Sequence, residues 1–227
     1  ALSWGAVAAV LQQLKLDAAV PLRVYQPHPL LSGAAELTLP QLLNTSQLQQ
    51  LFALSAQLDI ELVYLTLQPT LRKPGLLVMD MDSTAIQIEC IDEIARLAGV
   101  GDQVAAVTAA AMQGKLEFSD SLRNRVALLA GAPVTILDEV AAQMPWMPGL
   151  QLMVDTLKQA GWRVAIASGG FTRFAGELQQ ALGLDAIFAN ELAVEGAQLT
   201  GQVSGRIVDA SVKADVLQQL ATAFGIR

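Results

Sequence analysis

Two acids stand one residue apart where an apolar run ends, in LLVMDMDST at positions 76–84. In an extended chain Asp80 and Asp82 lie on the same side. Carboxylates at that range raise each other's pKa or share a cation. Acids at the end of a hydrophobic strand cost folding energy, which points to chemistry, and strand ends in α/β sheets are where ligands bind. The plain alternative is a strand running into a solvated turn, because Asp and Ser form turns readily. A second signal is RVAIASGGF at 163–171, a buried strand ending in Ser168, Gly169 and Gly170 ahead of a helix. A hydroxyl and glycine-freed amides at a helix N-terminus seat an anion, and phosphate suits them; the alternative is a tight turn. The third is Lys213 in DASVKADVL, opening the last helix. Alone, such a lysine reads as a surface charge.

These residues need a scaffold, and hydropathy periodicity outlines one. QPTLRKPG at 68–75, with two prolines, a glycine and two cations, marks a linker. Before it, residues 1–72 read as a small α+β module: an amphipathic first helix, strands Leu22 to Tyr25 and Glu61 to Leu67, and a helix Gln47 to Leu58 between them. After it, the strand Leu76 to Met79 meets the acids, and residues 86–145 turn helical as an insert. From Pro148 the pattern is helix Leu150 to Ala160, strand Arg163 to Ala167, helix Arg173 to Leu182 and strand Ala186 to Ala189. A hairpin turning near Glu195 to Ala197 and a helix Ser211 to Phe224 follow. That alternation implies an α/β fold with a Rossmann-like parallel sheet and right-handed crossovers, built from residues 73–85 and 146–227.

Composition limits the classes. Of 227 residues, 53% are apolar and 15% charged, enough for a sizeable core. A net charge of -7 argues against a nucleic-acid partner, which needs clustered Lys and Arg. No window approaches the ~18 apolar residues of a membrane span. The one cysteine, Cys90, makes no internal disulfide, and a reducing, cytoplasmic setting is expected. Cys90 reads as a buried helix thiol; a cysteine hydrolase needs a histidine, and the only one, His28, stands between two prolines outside this domain. A homodimer is compatible with the chain. The chain opens on Ala1, so a preceding segment is expected to have been removed.

Asp80-x-Asp82-x-Thr84, a serine ending a second strand and a lysine opening a later helix together resemble the haloacid dehalogenase superfamily. MDMDSTAIQIECIDEIARLAGV, AMQGKLEFSDSLRNRVALL, AIASGGFT, FANEL, LTGQVSG and VDASVKADVL resemble, within it, the bacterial phosphoserine phosphatases, continuously from about Pro74 onward. The resemblance implies a haloacid dehalogenase-like core, a helical cap, and an N-terminal module of the ACT type with serine feedback. It also implies hydrolysis of the small molecule O-phosphoserine. A phosphate dianion repels a carboxylate nucleophile, so attack needs a cation and donors around the phosphoryl oxygens. Asp80 is then the nucleophile, forming an aspartyl-phosphate, and Asp82 the general acid and base. By resemblance Mg²⁺ is held by the Asp80 carboxylate and the Asp82 carbonyl. Ser168, Gly169 and Lys213 hold the phosphoryl oxygens, and Thr84 orients the nucleophile. Glu89 and Arg125 match the residues for the ammonium and carboxylate, and Met112 and Phe118 the apolar lining. On spacing alone Arg123 serves as well as Arg125.

One departure stands out. The superfamily's fourth motif, a G-D-G-x-N-D loop completing the metal site, is absent before Arg227. The expectation is a fragment of a longer chain, with weak Mg²⁺ binding and low turnover by these 227 residues. Alternatives left open are a related phosphatase or phosphotransferase on another small phosphorylated amino acid, and a non-catalytic sensor of such molecules.

Overall fold

The computed structural model describes residues 3–16, 20–26, 29, 32–66, 70–114 and 116–226; His28 lies outside them. The chain forms two compact units, Ala1–Pro69 and Thr70–Arg227.

The first unit holds helix α1 (Trp4–Gln13), strands β1 (Leu22–Tyr25) and β2 (Ala34–Leu37), and helix α2 (Thr45–Leu58). Ser3 caps α1, and Asn44 and Gln47 form a reciprocal capping box on α2. β1 and β2 pair antiparallel, and Val10, Leu14 and Leu54 make a small core. The expected strand over Glu61–Leu67 is not formed at residues 61–65, and Leu67 lies outside the described residues. Burial still alternates there, with Leu62 and Tyr64 turned inward, but no ladder partner is present among the described residues, and alternation without a neighbour is not a strand. The order is therefore helix, hairpin, helix, and the strand-helix-strand pattern behind the ACT expectation is not seen.

The second unit carries strands β3 (Leu76–Met79), β4 (Arg163–Phe171), β5 (Ala186–Glu195) and β6 (Gln198–Ser204), in the sheet order β3-β4-β5-β6. β3, β4 and β5 run parallel, and β6 returns antiparallel. β4 shows why the sheet needs helices on both faces. Val164 and Ile166 join one core with helices α7 (Leu150–Gln159) and α8 (Thr172–Leu182), whereas Ala165 and Ala167 join a second with Val216 and Leu220 of helix α9 (Ala210–Ala223). Alternating buried side chains of one strand thus feed both cores.

Between β3 and α7 lie helices α3 (Cys90–Leu97), α4 (Gly101–Met112), α5 (Phe118–Ala127) and α6 (Thr135–Ala142). The insert's two ends are joined where they leave the sheet: Ile86 bridges Trp146, the Gln87 N–H donates to Pro145 O at 2.9 Å, and the Met147 N–H to Ala85 O at 2.8 Å. Its far side is held by the β5–β6 hairpin, through Gly131 N–H to Leu199 O at 2.8 Å and Leu199 N–H to Ala132 O at 2.9 Å. The helical cap is thus tied to the sheet at two places.

At the foot of β4, Asp185 accepts hydrogen bonds from the Val164 N–H at 2.8 Å and from Arg163 Nη1 at 2.7 Å. Burial pushes its carboxyl up, but these donors and the Lys158 and Arg163 charges outweigh it and hold the pKa below the ordinary carboxylate value. The folded state therefore binds fewer protons than the unfolded one. Its stabilisation is complete above the unfolded pKa of about 3.9 and is lost as pH falls through the folded value. Asp185→Asn should cost ~1–3 kcal/mol near neutral pH, and the gap in melting temperature to the parent should close on acidification. A constant gap at every pH would refute this.

Candidate active site

β3 is apolar because it is sandwiched between helices, and it ends where the cover stops. There Asp80 is the first residue past the ladder, with Oδ1 accepting the Met81 N–H at 2.8 Å and Oδ2 bonded by the Lys213 ammonium. Lys213 reaches it from the first turn of α9, whose start is set by Asp209: its Oδ1 accepts the Val212 N–H at 2.9 Å and its carbonyl the Lys213 N–H at 2.9 Å. Burial raises the Asp80 pKa, yet hydrogen bonds from Lys213, the Met81 N–H and Ser168, with the Lys213 charge, bring it below the ordinary value. Asp80 is an ionised carboxylate at neutral pH.

Asp82 goes the other way. Burial, above all, and then the charges of Glu89 and Asp80 lift its carboxyl to about 6, against donors from Cys90 that lower it. Its Oδ1 is buried without a hydrogen-bond partner. Two acids two residues apart are thus separated into one that stays charged and one that keeps its proton on the acid side of neutrality, the division an acid/base pair requires. Sequence reasoning credited the Asp82 proton to the neighbouring charge; burial is the larger cause.

Ser168 and Asn190 are fully buried beside them. β4 pairs with β5 in register from Ala165–Ala186 to Ala167–Phe188, then resumes at Phe171–Asn190, so four steps of β4 face two of β5. The bulge covers Ser168, Gly169 and Gly170, with Ser168 Oγ accepting the Gly170 N–H at 3.0 Å. Both glycines are closely approached by the ends of side chains. A Cβ on Gly169 would lie 2.6 Å from Phe118 Cζ, and one on Gly170 2.8 Å from Asp82 Oδ2 and 2.5 Å from Met81 Cε. Gly170 went unnoticed as a contact of Asp82, since a strand-to-helix turn alone accounts for a second glycine. Gly170→Ala should displace the Asp82 carboxylate and move its titration away from about 6, which carboxyl NMR of the purified variant against pH checks.

The residues expected from the cap divide. Phe118 lies over Gly169, at the N-terminus of α5. Glu89 precedes α3, close enough for its charge to raise Asp82, and Glu89 Oε1 accepts from Ser83 Oγ at 2.7 Å. Ser83 has a left-handed φ of 53°. Arg125 is half-buried while Arg123 is exposed, and Arg125 stands seven residues from Phe118, on the same face of α5. Its Nε bonds Ser121 O in its own helix, at 3.4 Å. Met112, at the end of α4, is 86% exposed and lines nothing; the end of a helix leaves a flexible side chain without neighbours. The Thr84 hydroxyl makes no bond to Asp80 among the described residues, and Thr84 is held instead by its N–H to Met81 O at 3.2 Å. Cys90 is a buried thiol whose pKa burial pushes up, so it is no nucleophile. Asn190, within the FANEL run, carried no assigned role.

A hard divalent cation takes about six oxygen donors. The Asp80 carboxylate and the Asp82 carbonyl are donors of the right kind, and Asp82 Oδ1 is buried without a hydrogen-bond partner. Among the described residues no three His, Cys, Asp or Glu side chains are grouped to hold a metal by themselves. The residues present therefore fit a hard cation in kind and supply part of its shell.

Comparison with known proteins agrees with this geometry. The family description of haloacid dehalogenase-like hydrolases matches residues 75–226. The chain is 52% identical over 168 residues to the phosphoserine phosphatase of Haemophilus influenzae, covering 74% of this chain and 54% of that one. It is 54% identical over 169 residues to that of Vibrio cholerae, covering 74% and 52%. The chain spans about half the length of these curated relatives. A solved phospho-aspartyl intermediate analogue of phosphoserine phosphatase superposes with a TM-score of 0.64 at 39% identity, over 68% of this chain and 74% of that one. On the matched residues, with Asp80, Asp82, Ser168 and Lys213 gathered at the ends of β3 and β4, the chain belongs to the haloacid dehalogenase-like hydrolases.

Proposed function

We propose that this protein hydrolyses O-phospho-L-serine to L-serine and phosphate, the last step of L-serine biosynthesis, through an aspartyl-phosphate on Asp80. The observation that carries the reading is the pairing of an ionised Asp80, bonded by Lys213 and Ser168, with an Asp82 whose carboxyl titrates near 6. Asp80 attacks phosphorus, and Asp82 delivers its proton to the departing serine oxygen. The carboxylate so formed then takes a proton from the water that hydrolyses the acyl phosphate. Lys213, the Ser168 hydroxyl and the Gly169 amide hold the phosphoryl oxygens, where charge is spread in the transition state. Mg²⁺, held by the Asp80 carboxylate and the Asp82 carbonyl, would neutralise charge between nucleophile and phosphate. The relatives named phosphoserine phosphatase support the choice of substrate. A reducing, cytoplasmic setting belongs to the same reading. No helix among the described residues is long and apolar enough to cross a membrane.

Specificity is assigned to the cap. Glu89 would meet the ammonium and Arg125 the carboxylate, in a fork-shaped pair. Arg125→Ala should weaken kcat/KM for phosphoserine by about 10- to 100-fold, from the ~1.5–3 kcal/mol of a charge-assisted bond. Phosphoethanolamine, which lacks the carboxylate, should be unaffected. The whole reading is tested by phosphate release from a panel of phosphorylated amino acids. Phosphoserine should be preferred, and release from none of them would overturn the assignment.

A further inference from the structure

Asn190 has no charge and no reactive atom, yet among the described residues it is one of three buried polar residues, with Ser121 and Ser168. Its side chain joins two segments far apart in the chain. Nδ2 donates to the Gly169 carbonyl at 2.8 Å, and Oδ1 accepts the Val208 N–H at 2.8 Å. An amide can do both, since it carries donor and acceptor at one end of a short stem. The reason lies in the register. Where β4 bulges at Ser168–Gly170 it forfeits ladder bonds to β5, and a buried carbonyl left unpaired is costly. Asn190, the β5 residue at which pairing resumes, answers Gly169 with its side chain. Its other end secures a buried N–H one residue before Asp209, the cap of the helix that carries Lys213.

The geometry points to Asn190 as a positioning residue that sets the spacing between the anion seat, Ser168 to Gly170, and Lys213. The ligand's identity rests on the function proposed above, but the brace does not depend on which monoester is bound. The two halves of the phosphoryl site come from different crossovers of the sheet. This amide bridges the backbone of one half to the approach of the other. A phosphoryl group needs both halves at a single separation, and about 1 Å of misplacement is expensive in rate.

The test uses the full chain and inorganic phosphate as the probe. Asn190→Ala loses both bonds; Asn190→Asp keeps the acceptor for Val208 and loses the donor to Gly169. Phosphate affinity, measured by calorimetry, should fall about 10-fold in the aspartate variant and further in the alanine variant, with both still folding cooperatively. In a double-mutant cycle, Asn190→Ala should cost little more once Lys213→Ala is present, because the two act through one site. Unchanged phosphate affinity in folded Asn190 variants, or losses that add fully with Lys213→Ala, would overturn the positioning role alone. If the alanine variant does not fold, the aspartate variant carries the test; if neither folds, Asn190 is structural and the inference falls. A parent protein that binds phosphate and hydrolyses no monoester would remove the function reading and leave the brace standing. A parent protein that binds no phosphate would remove both.

Discussion

Asp80→Asn is expected to abolish the proposed phosphate release, lowering kcat by ~10⁴-fold or more if Asp80 is the covalent nucleophile. The carboxamide is isosteric but carries no charge, and its nitrogen cannot accept from Lys213. The Lys213 ammonium, now bonded by Asp80 Oδ2, would lose its counter-charge in a half-buried site. The fold should survive, because Asp80 stands past the end of the β3 ladder and takes no part in the core. The accompanying chemical sign is a phosphorylated protein, trapped by rapid quench, in the parent and not in the variant. Residual turnover within tenfold of the parent would make Asp80 a binding group and place the nucleophile elsewhere.

The second large effect belongs to Asp82. With its carboxyl lifted to about 6, the protonated form prevails below that pH and the carboxylate above it. Expulsion of an alcohol as poor as serine needs the proton, so kcat/KM for phosphoserine should decline as pH rises through about 6, and Asp82→Asn should remove that limb while costing ~10²–10⁴-fold. A good leaving group provides the control. The p-nitrophenolate of p-nitrophenyl phosphate departs without a proton, so its first release should fall far less in the variant, while breakdown of the phosphoenzyme slows. Equal losses on both substrates in the first step would argue that Asp82 only orients, and that its burial beside Gly170 is structural.

Much of the site was legible because the sequence must place costly groups in sequence-visible places. Asp80 and Asp82 end an apolar strand, Ser168 and two glycines end another, and Lys213 opens a helix. Each breaks the local pattern of its element, and the order of the three resembles one superfamily. Phe118, expected from the resemblance as lining, stands over Gly169. Met112 did not follow: the motif matched, but its side chain stands in solvent. The N-terminal unit was the weakest reading. AAEL at 34–37 has little intrinsic strand preference and pairs only because β1 is beside it, whereas the more strand-like Glu61 to Leu65 finds no neighbour among the described residues.

By itself, then, the sequence determined which groups could react and which elements would end beside them, because apolar periodicity and a broken pattern are local properties of the chain. The tertiary structure alone decided which of the two acids keeps its proton, since that depends on burial and on Glu89, Cys90 and Gly170 arriving around Asp82. It alone decided that β4 bulges and that Asn190 braces the bulge to the approach of α9. Desolvation and hydrogen bonds between distant segments exist only once the chain has folded, so no spacing in the sequence encodes them.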